Sequence, residues 1–288
     1  MKYAFILDNR HSWSIAAQCR ALKVSRSGFY AWLIDETSDR SQANQVLDLK
    51  IIDIFKTHKK RYGVPRITEE LRDQGYCVNH KKVEKRMKLL GLKAKQAKKF
   101  KATTDSNHKQ PVACNLLNQD FSASAPNQKW AGDITYVWTQ AGWLYVAVII
   151  DLFSRQVIGW SMSKRINKEL VCNALLMALW RRGFPKGVLV HSDRGSQYCS
   201  NRYQKLLKDH HLICSMSGKG CCYDNAVSET FFHTLKVECL NDYHFMNRED
   251  AKKMIFEHVE IYYNQQRKHS AIEYKTPVQF EQLHQKVS

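Results

Sequence analysis

QKWAGDITYVWTQAGWLYVAVIIDLFSRQVIGWSM, from Gln128 to Met162, alternates runs of apolar residues with turn residues. Residues 128–138 predict a strand, and Gln140, Ala141 and Gly142 a turn. Trp143 to Ile150 predicts a buried strand, Asp151 to Arg155 a second turn, and Gln156 to Met162 a third strand. By the rules for hairpins this is an antiparallel meander. Beyond it the period changes. Asn167 to Trp180 predicts a helix with Leu170, Ala174, Leu175 and Ala178 inward. Val188 to His191 predicts a fourth strand, Asn201 to Asp209 a helix, Leu212 to Ser215 a short fifth strand, and Tyr223 to Leu240 a last helix. The order βββαβαβα implies an α/β fold, a mixed sheet with flanking helices.

Three acids stand where such a sheet can gather them. Asp133 interrupts the first strand, where an acid suits a half-buried element poorly. Asp193 follows the fourth strand, and Glu229 lies on the helix after the fifth. Grouped carboxylates repel one another and call for cations. Oxygen ligands suit Mg²⁺ or Mn²⁺, and two such ions ~3.5–4 Å apart assist phosphoryl transfer. Each acid also has a plainer role open to it, as a cap or an ion-pair partner. Asp151, Asp224 and Glu238 are competitors. Asp151 opens a turn, Asp224 sits where a helix needs a cap, and Glu238 is too far along the helix from Glu229 to be a close neighbour.

Upstream the chain reads as helical. Ile15 to Leu22 and Arg26 to Leu33, the latter capped by Ser25, predict a small helix-turn-helix anchored by Phe29, Tyr30, Trp32 and Leu33. Residues 44–59 predict an amphipathic helix with Val46, Leu49, Ile52 and Phe55 inward. Pro65 fits the first turn of the next helix, with Ile67 and Leu71 buried and Gly75 ending it. Asn79 caps a further helix that runs to Leu90 before Gly91, with Val83, Met87 and Leu90 inward. Its other face carries Lys81, Lys82, Lys85 and Arg86, as a helix entering a DNA major groove would. Arg26 and Arg66, each at a helix start, join them as expected DNA contacts.

Composition agrees. The 288 residues carry 45 Lys and Arg against 27 Asp and Glu, a formal net charge of +18. Such an excess points to a polyanionic partner. Residues 1–120 hold 24 basic and 12 acidic side chains, and residues 81–101 ten basic and one acidic. The grip on phosphates is therefore expected in the first part. No apolar run reaches the ~20 residues of a membrane span, and the apolar stretch in MKYAFILD is short for a signal core. A cytoplasmic protein is expected. Nine cysteines without a C-x-x-C pair suggest reduced thiols. His210, His211, Cys221 and Cys222 lack the spacing of a structural zinc site. The expected divisions are 1–43 and 44–101, each a helix-turn-helix region, a polar linker 102–127, a core 128–240 and a helical extension 241–288.

The motifs WAGDITYV, HSDRGSQY and SMSGKGCCYDNAVSETFFHTLKVE closely resemble the integrase core of bacterial insertion-sequence transposases. The resemblance is to the second-frame ("OrfB") products of the family named after insertion sequence three. YNQQRKHSAIEYKTP resembles its closing motif, CRALKVSRSGFYAW its first helix-turn-helix and RYGVPRI its second. The likeness spans nearly the whole chain. It implies an RNase H-like sheet preceded by all-α DNA-binding regions, with a DDE triad at Asp133, Asp193 and Glu229. It also implies Mg²⁺ or Mn²⁺, cleavage of element ends, 3′-OH transfer without a covalent protein intermediate, and copy-out–paste-in transposition. Double-stranded DNA is the implied partner, held by a homo-oligomer, with a first-frame partner or fusion upstream and a place on the bacterial nucleoid.

Lys236 lies seven residues beyond Glu229, on the same helical face, and is the expected contact for a terminal phosphate. Its plainer role is an ion pair with Glu238 or Asp242. His191 reads as a strand-end core residue. Arg267 and His269 either meet DNA or close the fold. Four positions depart from the family: Lys23 and Glu273 replace usual glycines, Gly218 a usual arginine and Cys221 a usual asparagine. Two rival functions remain open, a DNA-binding regulator whose core no longer cuts and a hydrolase of RNA–DNA hybrids.

Overall fold

The computed structural model describes residues 2–35, 39–95, 111–218 and 222–285. The chain forms two compact units, Met1–Ala94 and Lys95–Ser288. No helix among the described residues is long and apolar enough to cross a membrane.

The first unit is all helical: α1 (Lys2–Asp8), α2 (Ile15–Ala21), α3 (Arg26–Asp35), α4 (Asp39–Thr57), α5 (Val64–Asp73) and α6 (His80–Leu89). Local chemistry sets these boundaries. Ser14 caps α2, Ser25 Oγ accepts the Gly28 N–H at 3.0 Å, and Asn79 Oδ1 accepts the Lys82 N–H at 2.7 Å. Gly75 and Gly91 end α5 and α6 in left-handed conformation. Ile6, Cys19 and Phe29 form a small core for α1–α3. Helix α1 was not expected from the sequence. On α3, Phe29 is buried and Trp32 half-buried, whereas Tyr30 and Leu33 face solvent. The α4 face also needs correction. Leu47, Ile51, Ile54 and Phe55 are buried, while Val46 and Leu49 are exposed and Ile52 is half-buried.

The second unit is built on a five-stranded sheet of order β3-β2-β1-β4-β5. Its strands are β1 (Lys129–Thr139), β2 (Gly142–Asp151), β3 (Val157–Ser163), β4 (Leu189–Ser192) and β5 (Ile213–Met216). The first three are antiparallel; β4 pairs parallel with both β1 and β5. Its helices are α7 (Lys168–Arg182), α8 (Asn201–Asp209), α9 (Ala226–Leu235), α10 (Arg248–Phe256) and α11 (Pro277–Gln285). Alternate residues of β2 supply two cores. Ala147 and Ile149 pack with Leu175 and Tyr203 of α7 and α8. Val146 and Val148 pack with Phe231 and Ile255 of α9 and α10. Gly159 lets β3 approach α7, since a Cβ there would lie 2.2 Å from the Ala174 carbonyl oxygen.

Three expectations change. Residues 111–127, expected as linker, pack onto the sheet: Leu117 is buried, and Ser215 Oγ accepts the N–H groups of Leu116 and Leu117 at 2.9 and 3.1 Å. Residues 241–285 are a layer of the core, not an extension, because Ala251, Ile255, Val259 and Tyr263 share the apolar cluster of β2 and α9. The helix expected over Tyr223 to Leu240 is three pieces: a 3₁₀ turn at Cys222–Asn225, α9, and a π-helical turn at Lys236–Leu240.

Candidate active site

The register of β1 against β4 places the first two carboxylates. Lys129 faces Leu189, Trp130 faces Val190, and Ala131 faces His191. Asp133 lies two residues beyond Ala131 on β1, and Asp193 two residues beyond His191, just past the end of β4. Asp133 is half-buried, and its Oδ1 accepts the Ile134 N–H at 2.8 Å. Asp193 Oδ1 accepts the Gly195 N–H at 2.9 Å in a tight turn just past β4. Glu229 comes from the first turn of α9 and is exposed. Lys236 is half-buried at the start of the π-helical turn, its ammonium 5.3 Å from the centre of the Tyr136 ring.

These groups feel one another. Burial pushes the Asp133 carboxyl well above the usual carboxylate range, and the charges of Asp193 and Glu229 push it further. The Ile134 N–H and the Lys236 ammonium oppose the rise. Burial also raises Glu229 and lowers Lys236, where Asp133 pulls the other way. Among the described residues no group of three or more His, Cys, Asp or Glu stands ready to hold a metal ion. What the site presents is Asp133 on β1 with the charges of Asp193 and of Glu229 on α9 near enough to act on it. A divalent cation matches this set chemically, since its positive charge would relieve the repulsion that Asp193 and Glu229 exert on Asp133.

The competitors have other occupations. Asp151 Oδ1 accepts the Phe153 N–H and Oδ2 the Asn127 N–H, each at 2.9 Å, which is the expected turn role. Asp224 is buried and accepts from Gly218 N–H at 2.7 Å and from the Asn115 and Gln119 amides at 2.9 Å each. It ties residues 111–119 to the loop before α9. Glu238 takes Arg267 in a buried two-point pair, at 2.9 and 2.7 Å. Arg267 therefore closes the fold. Asp242 is paired with Lys95 at 2.6 Å, so both acids expected beside Lys236 hold other cations. His191 is buried between the hydroxyls of Ser215 and Ser217, at 2.9 and 3.2 Å, and burial lowers it to about 4.

In the first unit, Lys81, Lys82 and Lys85 are exposed on α6, and Arg26 is exposed at the start of α3. Arg66 lies half-buried over the Tyr62 ring, 5.6 Å from its centre. Arg86 departs from expectation. Its guanidinium grips Asp48 of α4 at two points, one of them 2.7 Å, so it braces the helices instead of facing outward with the lysines. Cys221 lies outside the described residues, as do the side chains of Cys222 and Tyr223. Sequence reasoning missed Tyr136 and Trp138, exposed aromatics on β1 just past Asp133. Their signal was present, since large aromatics at alternate strand positions must share a face.

Three family models match this chain: an HTH-like domain over residues 41–100 and integrase core domains over 123–222 and 229–284. The transposase InsF for insertion sequence IS3A of Escherichia coli K12 is 53% identical over 283 residues, 98% of each chain. A 31 kDa protein of insertion element IS600 from Shigella sonnei is 46% identical over 93% of this chain and 98% of its own. The catalytic core domain of HTLV-2 integrase, solved in complex with magnesium, matches 56% of this chain and 98% of its own at 21% identity, with a TM-score of 0.39. Identity of this depth along the whole length, together with the integrase-core sheet and the helix-turn-helix unit, means that the chain belongs to the IS3 family of DNA transposases.

Proposed function

We propose that Asp133, Asp193 and Glu229 are the catalytic carboxylates with which this transposase cuts the ends of its element and joins the freed strand elsewhere. In the first step water attacks the phosphorus at the element end. The P–O3′ bond breaks, leaving a 3′-hydroxyl and a 5′-phosphate. In the second step that hydroxyl attacks a phosphodiester, a new P–O bond forms, and the displaced 3′-oxygen takes up a proton. Two Mg²⁺ or Mn²⁺ ions, held by the three carboxylates, would activate the attacking oxygen and stabilise the leaving one. Lys236 would bind a phosphate beside the reacting bond. Lys81, Lys82, Lys85 and Arg26, with Arg66 near them in sequence, would hold duplex DNA. The reading extends to a homo-oligomer holding two ends, an upstream first-frame partner or fusion, a copy-out–paste-in route, and work on the bacterial nucleoid.

The observation that supports the reading is the parallel pairing of β1 with β4 just before Asp133 and Asp193, with the charges of Asp193 and Glu229 both felt at Asp133. The test is incubation of the purified chain with labelled element-end DNA and Mg²⁺, with the first-frame partner supplied. Cleavage and joining are expected, and Asp133→Asn, Asp193→Asn and Glu229→Gln should each lose both, by about 10³-fold or more, while still binding DNA. Full activity in any one of the three removes that residue from the triad. Binding without cleavage by the unaltered chain favours a regulator.

A further inference from the structure

Beyond Asp133 the far end of β1 carries an unusual surface. Tyr136, Trp138 and Trp143 are 37%, 59% and 43% exposed, and Tyr243 is 51% exposed. Trp138 and Trp143 are direct partners across the β1–β2 hairpin, with ring centres 4.7 Å apart. Trp143 also meets Tyr136 edge to face at 5.1 Å. Beside them runs a groove of about 410 Å³, floored by Val137, Leu240 and Phe245 and walled by Tyr136, Trp138 and Tyr243. Phe245 is held against the strand end, its carbonyl accepting the Gln140 N–H at 2.9 Å.

Two cations bracket the aromatic rings. Lys236 lines the groove and lies over Tyr136; the same ammonium feels the charge of Asp133. At the hairpin tip the Arg248 guanidinium donates to the Trp143 carbonyl at 2.9 Å. Rings that offer flat faces, interleaved with cations that meet phosphates, are what single-stranded nucleic acid binds. A hydrophobic protein partner would not call for Lys236 at the groove mouth, and intact duplex offers no free base face.

We infer that the Tyr136–Trp138–Trp143–Tyr243 surface and its groove form a stacking platform for unpaired bases of the DNA strand that leaves the active site past Lys236. The inference rests on the transposase reading and adds a site to it. Bases held there would keep the strand end splayed and its terminal phosphate in place beside Asp133. Stacking tolerates any base, so the platform would grip the strand without reading sequence.

The test uses the full chain and two fluorescein-labelled probes, a short blunt duplex and the same duplex carrying a single-stranded thymidine tail. Anisotropy titrations give the ratio of the two affinities. The unaltered chain is expected to prefer the tailed probe by about tenfold, the effect of stacking one or two bases. Trp138→Ala with Trp143→Ala should bring the ratio to about one, and Trp138→Phe should keep most of it. Tyr243→Ala, which lies off the hairpin, should reduce the ratio without lowering the melting temperature. If the tryptophans served only to brace the hairpin, their loss would lower the melting temperature and leave the ratio unchanged, which would overturn the platform. A ratio of one in the unaltered chain would do the same. Cleavage of element-end DNA, measured in parallel on the unaltered chain, decides the transposase reading separately, so failure of the platform and failure of the triad give different results.

Discussion

At Asp133 the fold disfavours a negative charge. Its folded carboxyl sits well above the ordinary range because burial, Asp193 and Glu229 all disfavour its ionisation. The folded state therefore holds a proton that the unfolded state has released. Stability then falls as pH rises from the ordinary carboxylate range up through the raised folded value. Asp133→Asn removes the charge, so metal-free variant protein should melt higher than the unaltered chain, with the gap wider at pH 8 than at pH 5. Added Mg²⁺ should raise the melting temperature of the unaltered chain and not of the variant; scanning calorimetry with and without the ion checks both signs. Two departures from the family belong at this scale as well. Lys23 and Glu273 stand at φ of 53° and 55°, the left-handed region where a side chain is strained. A glycine would be unstrained at both places. Lys23→Gly and Glu273→Gly should each stabilise by about 1 kcal/mol, read from urea midpoints with unchanged slope.

Among the elements, α6 divides its cations between two tasks. Arg86 is bound to Asp48, with the two side chains 21% and 16% exposed, and this pairing raises the guanidinium pKa. Arg86→Ala should destabilise the first unit by roughly 2 kcal/mol, because it leaves Asp48 half-buried without its partner. Replacing Lys81, Lys82 and Lys85 with alanine should barely move the melting temperature. It should instead flatten the salt dependence of duplex binding, the logarithmic slope falling by roughly 0.9 for each phosphate no longer neutralised. A binding titration at several salt concentrations separates the two. Much of α6 could be read beforehand, since Asn79, Val83, Met87 and Gly91 each signal through local chemistry. The α4 face could not be read by a step of three. Val46 and Phe55 are nine residues apart, which is two and a half helical turns, so they stand on opposite sides. The step that tracks the buried face is four and three, through Leu47, Ile51, Ile54 and Phe55. Arg86 was misassigned because an ion pair across 38 residues of sequence leaves no local trace.

At the scale of the molecule, the site depends on chain that was expected to lie outside the core. The meander and the succession of strands and helices along the chain follow from local patterns and from motifs. How residues 241–285 pack does not, because their apolar positions match a surface the sequence does not display. The structure supplies that surface: Ala251, Ile255, Val259 and Tyr263 cover β2 and complete the core behind α9. A buried charge fixes the closure. Arg267 Nε and Nη2 donate to the Glu238 carboxylate beneath the π-helical turn that begins at Lys236. On the opposite flank Arg182 is gripped by Glu281 of α11 at 2.5 and 2.6 Å. The tail therefore locks both the helix that carries Glu229 and the one that carries Arg182. A fragment ending at Leu240 should fail to give the near-ultraviolet circular dichroism of a packed core, whereas one that starts before residue 111 and ends after Gln285 should give it and melt cooperatively. Arg267→Ala in the full chain should cost about 3–5 kcal/mol, since Glu238 is left charged and buried. Arg267→Met with Glu238→Leu should cost much less, because no charge is then stranded. If the single change proved as mild as the double, the closure would rest on apolar packing alone, and Lys236 would owe its position beside Asp133 to Leu235, Cys239 and Leu240.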